Sequence, residues 1–163
     1  MNDLNLEKNR TIRVLIADDR PPARSAMRAL LTALESVMHP VCPQIDPPYP
    51  VTYPNNHSGD EPSLPHISVV AEACQGAQAV EQVEKYHPDV LLIDARMPVL
   101  NGMEATRLIK ERWPNTRVLM LSMYRNYELE AYQAGVDGFL LKGCPAEELL
   151  EAIIGKPEVS EMP

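Results

Sequence analysis

Hydrophobic and polar positions follow two rhythms along this chain. One is a short run, apolar at nearly every position: Ile12 to Ala17, Val90 to Ile93, and Gly138 to Leu141. Runs of this kind read as strands buried on both faces, which predicts strands at 11–17, 67–71, 89–94 and 116–122, with a fifth inside 136–141. The other rhythm is helical. Ala23, Ala26, Met27, Leu30, Leu31 and Leu34 recur at the spacing of one helix face, behind a Pro21-Pro22 pair suited to a first turn. Further helices are expected at 77–86, ended before His87-Pro88, and from Asn101-Gly102 to the Trp113-Pro114-Asn115 stop, with Ala105, Leu108 and Ile109 inward. A short helix at 127–134 is capped by Gly135, and a last one covers 145–154. Strand and helix alternate five times. That order predicts an α/β fold, a (βα)₅ doubly wound parallel five-stranded sheet with right-handed crossovers.

One segment breaks the alternation. Residues 36–66 hold eight of the sixteen prolines and no Lys or Arg. Pro40, Pro43, Pro47, Pro48, Pro50 and Pro54 rule out a helix through them. Two readings stay open: a surface insertion that the fold tolerates, or a pre-extended partner-binding arm anchored by Tyr49 and Tyr53. The expected organisation is a polar tail at 1–10, one domain at 11–154 carrying the 36–66 insertion, and a tail or linker start at 155–163.

Composition narrows the class. The 163 residues suffice for one domain with its own core. A formal charge of -8 argues against a nucleic-acid surface within these residues, since phosphate binding needs clustered Lys and Arg. Cys42, Cys74 and Cys144 show no metal-ligand spacing and are expected to be free thiols in a reducing compartment. The polar N-terminus and the lack of any apolar stretch near the roughly 20 residues that span a bilayer predict a cytoplasmic protein without membrane contact.

The candidate chemistry sits at predicted strand ends. Asp94 closes Val90-Leu91-Leu92-Ile93 and leads into Ala95-Arg96-Met97-Pro98. Asp18-Asp19 closes the first strand, Ser122 the fourth, and Lys142 the fifth. The C-terminal ends of parallel strands are where open α/β sheets place their sites. Three carboxylates gathered there repel one another unless a cation joins them. With one ammonium beside them, they suggest a site for a divalent cation and a phosphoryl group.

This set, with Asn101-Gly102, resembles the receiver domain of bacterial response regulators over about residues 11–154, the Pro-rich segment excepted. Leu121-Ser122-Met123-Tyr124 and Gly138-Phe139-Leu140-Leu141-Lys142 are most similar to receivers of the NarL/LuxR type. The resemblance implies a CheY-like (flavodoxin-like) fold and a phosphoryl group accepted on Asp94 from a histidine kinase or phosphotransfer protein. It implies Mg²⁺ (or Mn²⁺) held by Asp19 and Asp94 directly, by Asp18 through water, and by the backbone carbonyl of Arg96. Lys142 and Ser122 would contact the phosphoryl oxygens, and Phe139 would be a switch aromatic. Such a domain is a signalling element, not an enzyme beyond its own phosphorylation and dephosphorylation. Its downstream partner is a protein or a covalent output domain, in this type often a helix-turn-helix, and members often form homodimers.

The chain departs from the family pattern in three places. Ser122 to Phe139 is about two residues short. Gly143 stands where many receivers have Pro, which makes a cis peptide there costly, about 2.5–4 kcal/mol. The last helix is short. Two other functions compete: a phosphorylation-independent interaction module using the insertion, and a small phosphohydrolase. The second needs an acid two residues after the nucleophile, where this chain has Arg96.

Overall fold

The computed structural model describes residues 10–38 and 65–155. Their order is β1 (Thr11–Ala17), α1 (Pro21–Met38), β2 (His66–Ala73), α2 (Gly76–Tyr86), β3 (Val90–Asp94), α3 (Gly102–Arg112), β4 (Arg117–Ser122), α4 (Glu128–Ala134), β5 (Gly138–Leu141) and α5 (Ala146–Ile154), with a 3₁₀ turn at Arg125–Tyr127 before α4. All pairings are parallel, in the order β2-β1-β3-β4-β5. This is the predicted five-stranded (βα)₅ sheet. The chain reverses its direction of winding between β1 and β3, and a crevice opens there at the C-terminal strand ends.

Alternation along the buried strands divides the core into two layers. Leu15, Leu91, Ile93, Val118 and Met120 pack with α2, α3 and α4, through Val83, Ile109 and Ala131 among others. Val14, Ile16, Leu92, Leu119 and Leu121 face α1 and α5, meeting Leu31, Leu149 and Ile153. All five residues of β3 are buried, so Asp94 is carried to the sheet edge on a strand fixed from both sides.

Element bounds differ from the sequence reading at the Pro-rich segment. Helix α1 runs through Met38, three residues into the span assigned to the insertion. The first proline of the segment is Pro40, so the helix can run up to Met38 before a proline stops it, with the hydroxyls of Thr32 and Ser36 bonding back to the carbonyls of Arg28 and Thr32. Strand β2 is also longer than predicted. It carries a bulge, with Val14 opposite Val69 but Leu15 opposite Ala71, and continues to Ala73 opposite Ala17. Glu72 falls inside this extension, where its charge masked the strand; Arg24 and Arg28 of α1 pair with it. The short fourth helix is seen as seven residues capped by Gly135 at φ 98°. No cis peptide bond occurs among the described residues. Residues 1–9, most of the insertion with Cys42, Tyr49 and Tyr53, and residues 156–163 lie outside them. Among the described residues no helix is long and apolar enough to cross a membrane.

Candidate functional site

Three loops at the C-terminal edge of the sheet bring the acids and the lysine together. One carboxylate oxygen each from Asp18, Asp19 and Asp94 lies within 4.8 Å of the others. Lys142 reaches in from the end of β5: its Nζ is 2.5 Å from Asp18 Oδ2 and 2.9 Å from Asp94 Oδ1. Both carboxylates are buried, whereas Asp19 is exposed.

Asp18 is the most heavily engaged of the three. Its Oδ1 accepts from the Arg20 amide at 2.9 Å, with the Arg20 guanidinium at 3.8 Å, and its backbone carbonyl accepts from Arg24 at 2.7 Å. Asp19 and Asp94 therefore present the less committed oxygens. Burial pushes the Asp94 carboxyl above the ordinary carboxylate range. Hydrogen bonding and charge from Lys142 pull it back, and the charges of Asp18 and Asp19 push it up again.

The backbone around Asp94 is pinned. Asn101 caps α3 through a capping box with Glu104, setting the start of that helix. Gly102 donates to the Ala95 carbonyl at 3.0 Å. A Cβ on Gly102 would collide with the carbonyl of Asp94, so only glycine lets α3 approach this closely. Ser122 is buried at the end of β4, where its Oγ accepts from the Tyr124 amide at 3.1 Å and its carbonyl accepts from the Lys142 amide at 2.8 Å. That last bond couples the ends of β4 and β5, and with them the hydroxyl and the ammonium.

These groups share a pocket of about 330 Å³ that includes Asp19, Asp94, Arg96, Ser122 and Lys142. The predicted residues converge there, with two exceptions. Asp18 stands behind the pocket, joined to it through Lys142 and its fellow acids. Phe139 is half-buried and lines the groove between α4 and α5 instead, with Lys142 and Glu148. Two features escaped the sequence reading. The Arg96 guanidinium stands over the Tyr124 ring, 5.4 Å from its centroid, on the pocket rim. Arg20 and Arg24 brace Asp18. Their position just after the acidic pair was the available signal.

The donor set suits a hard divalent cation: all-oxygen, anionic, and close enough for shared coordination. Within the cluster three carboxylates share one ammonium, and the guanidinium groups of Arg20 and Arg96 stand at the rim of the pocket. Such an arrangement can hold Mg²⁺ or Mn²⁺ and presents a carboxylate as a nucleophile beside a cation.

Comparison with known proteins agrees with this geometry. The family model of the response regulator receiver domain matches residues 63–154, more than half of the chain. That match begins after α1, so Asp18 and Asp19 fall outside it, and the fold itself brings them to Asp94. The transcriptional regulatory protein DegU of Brevibacillus brevis is 45% identical over 91 residues, 55% of this chain and 39% of that protein. The nitrate/nitrite response regulator protein NarL of Escherichia coli is 37% identical over 91 residues, covering 55% and 42%. The chain thus matches about two fifths of the length of these relatives. Among solved structures, the signal receiver domain of NarL from Mycobacterium tuberculosis aligns with a TM-score of 0.65 at 28% identity, covering 89% of this chain and 94% of that one.

Proposed function

We propose a function from one premise, that this chain belongs to the response regulator receiver family, as a receiver domain of the NarL/LuxR type in two-component signalling. In our reading Asp94 is the phosphoacceptor. One observation carries it: a buried carboxylate at the end of a central strand, 2.9 Å from a lysine and grouped with two further acids. An Asp94 carboxylate oxygen attacks the phosphorus of a phosphohistidine on a histidine kinase or phosphotransfer protein. The new O–P bond makes an acyl phosphate as the N–P bond breaks and the imidazole leaves with the donor.

Asp19 and Asp94 would hold Mg²⁺ or Mn²⁺ directly, Asp18 through water, with the Arg96 carbonyl as a further oxygen. The ion supplies charge neutralisation for the transferring oxygens. Lys142 neutralises them from the other side, leaving its present partners, Asp18 and Asp94. Ser122 donates its hydroxyl to a phosphoryl oxygen while its backbone stays tied to Lys142. The phosphoryl adds about -1.5 to -2 charge, and drawing Ser122 and Lys142 toward it shifts the surface of α4, β5 and α5. Phe139, in the groove between those helices, belongs to that surface. The downstream partner is a protein or an output domain, with control of transcription the favoured output, in the cytoplasm. The domain turns over no substrate besides its own phosphoryl group.

Intact-mass spectrometry after incubation with acetyl phosphate and Mg²⁺ tests this. A labile phosphoryl adduct is expected on the wild type and none on Asp94→Asn, and Asp19→Asn should bind Mg²⁺ more weakly by calorimetry. A wild type that takes neither phosphoryl group nor beryllofluoride overturns the reading.

A further inference from the structure

We propose that the α1–α5 face holds a binding site for a small, uncharged, apolar molecule of about bicyclic aromatic size. The site is a pocket of about 250 Å³ between α1, the sheet and the start of α5. Its floor is rigid: Leu92 and Leu121 belong to the central strands and are 0% and 5% exposed. Leu149 closes it from α5, and Met27 and Leu30 from α1.

The pocket exists because the elements around it stop short of filling it. Helix α1 turns Ala23 and Ala26 toward it, two side chains of one carbon each. After Lys142 the chain turns away through Gly143 at φ 89°, and α5 begins only at Ala146.

Its chemistry selects the occupant. The lining is apolar, with the Met27 thioether and the Cys144 thiol among its aliphatic groups, except at one end, where Asp18 and Lys142 stand, and these are paired with each other at 2.5 Å. A charged head group would have to break that pair, whereas an apolar surface meets apolar side chains. Water in such a space finds few partners, and displacing it favours apolar binding. Size sets the scale: an apolar cavity of about 150 Å³ holds benzene, so about 250 Å³ holds roughly ten heavy atoms, the size of indole or naphthalene.

The site is continuous with the phosphoacceptor centre. Lys142 lines the pocket while its Nζ ends on Asp94, so an occupant lies against a residue of the signalling site. Binding itself does not depend on Asp94 being phosphorylated.

The test is a titration of the full-length, ¹⁵N-labelled chain with indole, without phosphodonor, and in parallel with indole-3-carboxylate. Saturable shifts are expected at the amides of Leu30, Leu121 and Cys144 with indole and not with the carboxylate. Ala26→Leu fills the space from an exposed helix position and should weaken indole binding about tenfold or more. Ala29→Leu, exposed on α1 but outside the pocket, should leave it unchanged. Should Ala26→Leu fail to fold, Cys144→Leu makes the same test from the opposite wall. Absence of saturable shifts, shifts scattered over the surface, or equal indole binding in a folded pocket-filling variant overturns the proposal.

Discussion

At the scale of single residues, the site holds destabilising features in place. Asp94 is a desolvated carboxylate whose pKa is raised by burial, in spite of Lys142. A carboxyl held above its unfolded value favours folding while it is protonated. That contribution is present below the unfolded pKa and is lost as pH rises through the folded one. At neutral pH the metal-free wild type therefore carries an unfavourable ionisation that Asp94→Asn removes. The variant should melt a few degrees higher near pH 7, and the difference should shrink toward acid pH; calorimetry across pH with chelator present checks both. A second strained residue lies five positions on. Val99 has φ 68°, and the Leu100 amide bonds back to the Pro98 carbonyl at 2.8 Å, the hydrogen bond of a γ-turn. A β-branched residue is ill suited to that region, and Val99 is 87% exposed, so its side chain supplies little packing in return. Val99→Gly should stabilise the domain by roughly 0.5–1 kcal/mol in urea unfolding, because glycine adopts a positive φ without the steric cost of a Cβ.

At the scale of elements, the sequence announced what was periodic and concealed what was charged. The buried runs of β1, β3 and β4 and the apolar stripe of α1 were legible because sheet and helix burial impose those patterns. The ends of β2 were not, because Glu72 sits within the strand and its charge is met by arginines from another element. The acids and Lys142 could be placed at strand ends from order alone. The Arg96–Tyr124 stack could not, since it joins two loops after two different strands. The start of β5 is another tertiary feature. Val136–Asp137 precedes the strand, and Asp137 accepts from the Val118 amide at 2.6 Å while pairing with Lys110 at 2.5 Å. Lys110 also bonds the Thr116 carbonyl at 2.9 Å, so α3, β4 and β5 meet at one carboxylate. Such a clasp suits a chain in which α4 is only seven residues long and offers little packing of its own. Asp137→Ala should cost roughly 1–2 kcal/mol, mostly from the unpaired Val118 amide. Amide exchange should quicken along β5 before it does along β1.

At the scale of the whole molecule, the described flanks of the Pro-rich segment and the acid cluster lie at opposite ends of the sheet. The segment leaves after Met38 and returns at β2, whose first amide, that of His66, bonds to the Arg10 carbonyl at 3.0 Å before β1 begins. The acids of the site lie at the other end of the strands, Asp18 and Asp19 just past β1 and Asp94 as the last residue of β3. The two flanks are also tied directly to each other. Glu35 near the end of α1 accepts from the Ile67 amide at 2.8 Å and meets the His66 ring at 2.5 Å. A connection between points already tied by the fold can be shortened at small entropic cost, and even with a slight gain from the unfolded state. Deleting residues 42–62 should therefore leave a cooperatively melting domain that acquires the same phosphoryl adduct from acetyl phosphate at an unchanged rate. Glu35→Ala in the full chain should lower the melting temperature without slowing that labelling. Retained folding with slowed labelling in the deletion would mean that the segment acts on the distant site, and loss of cooperative melting would mean that it belongs to the core.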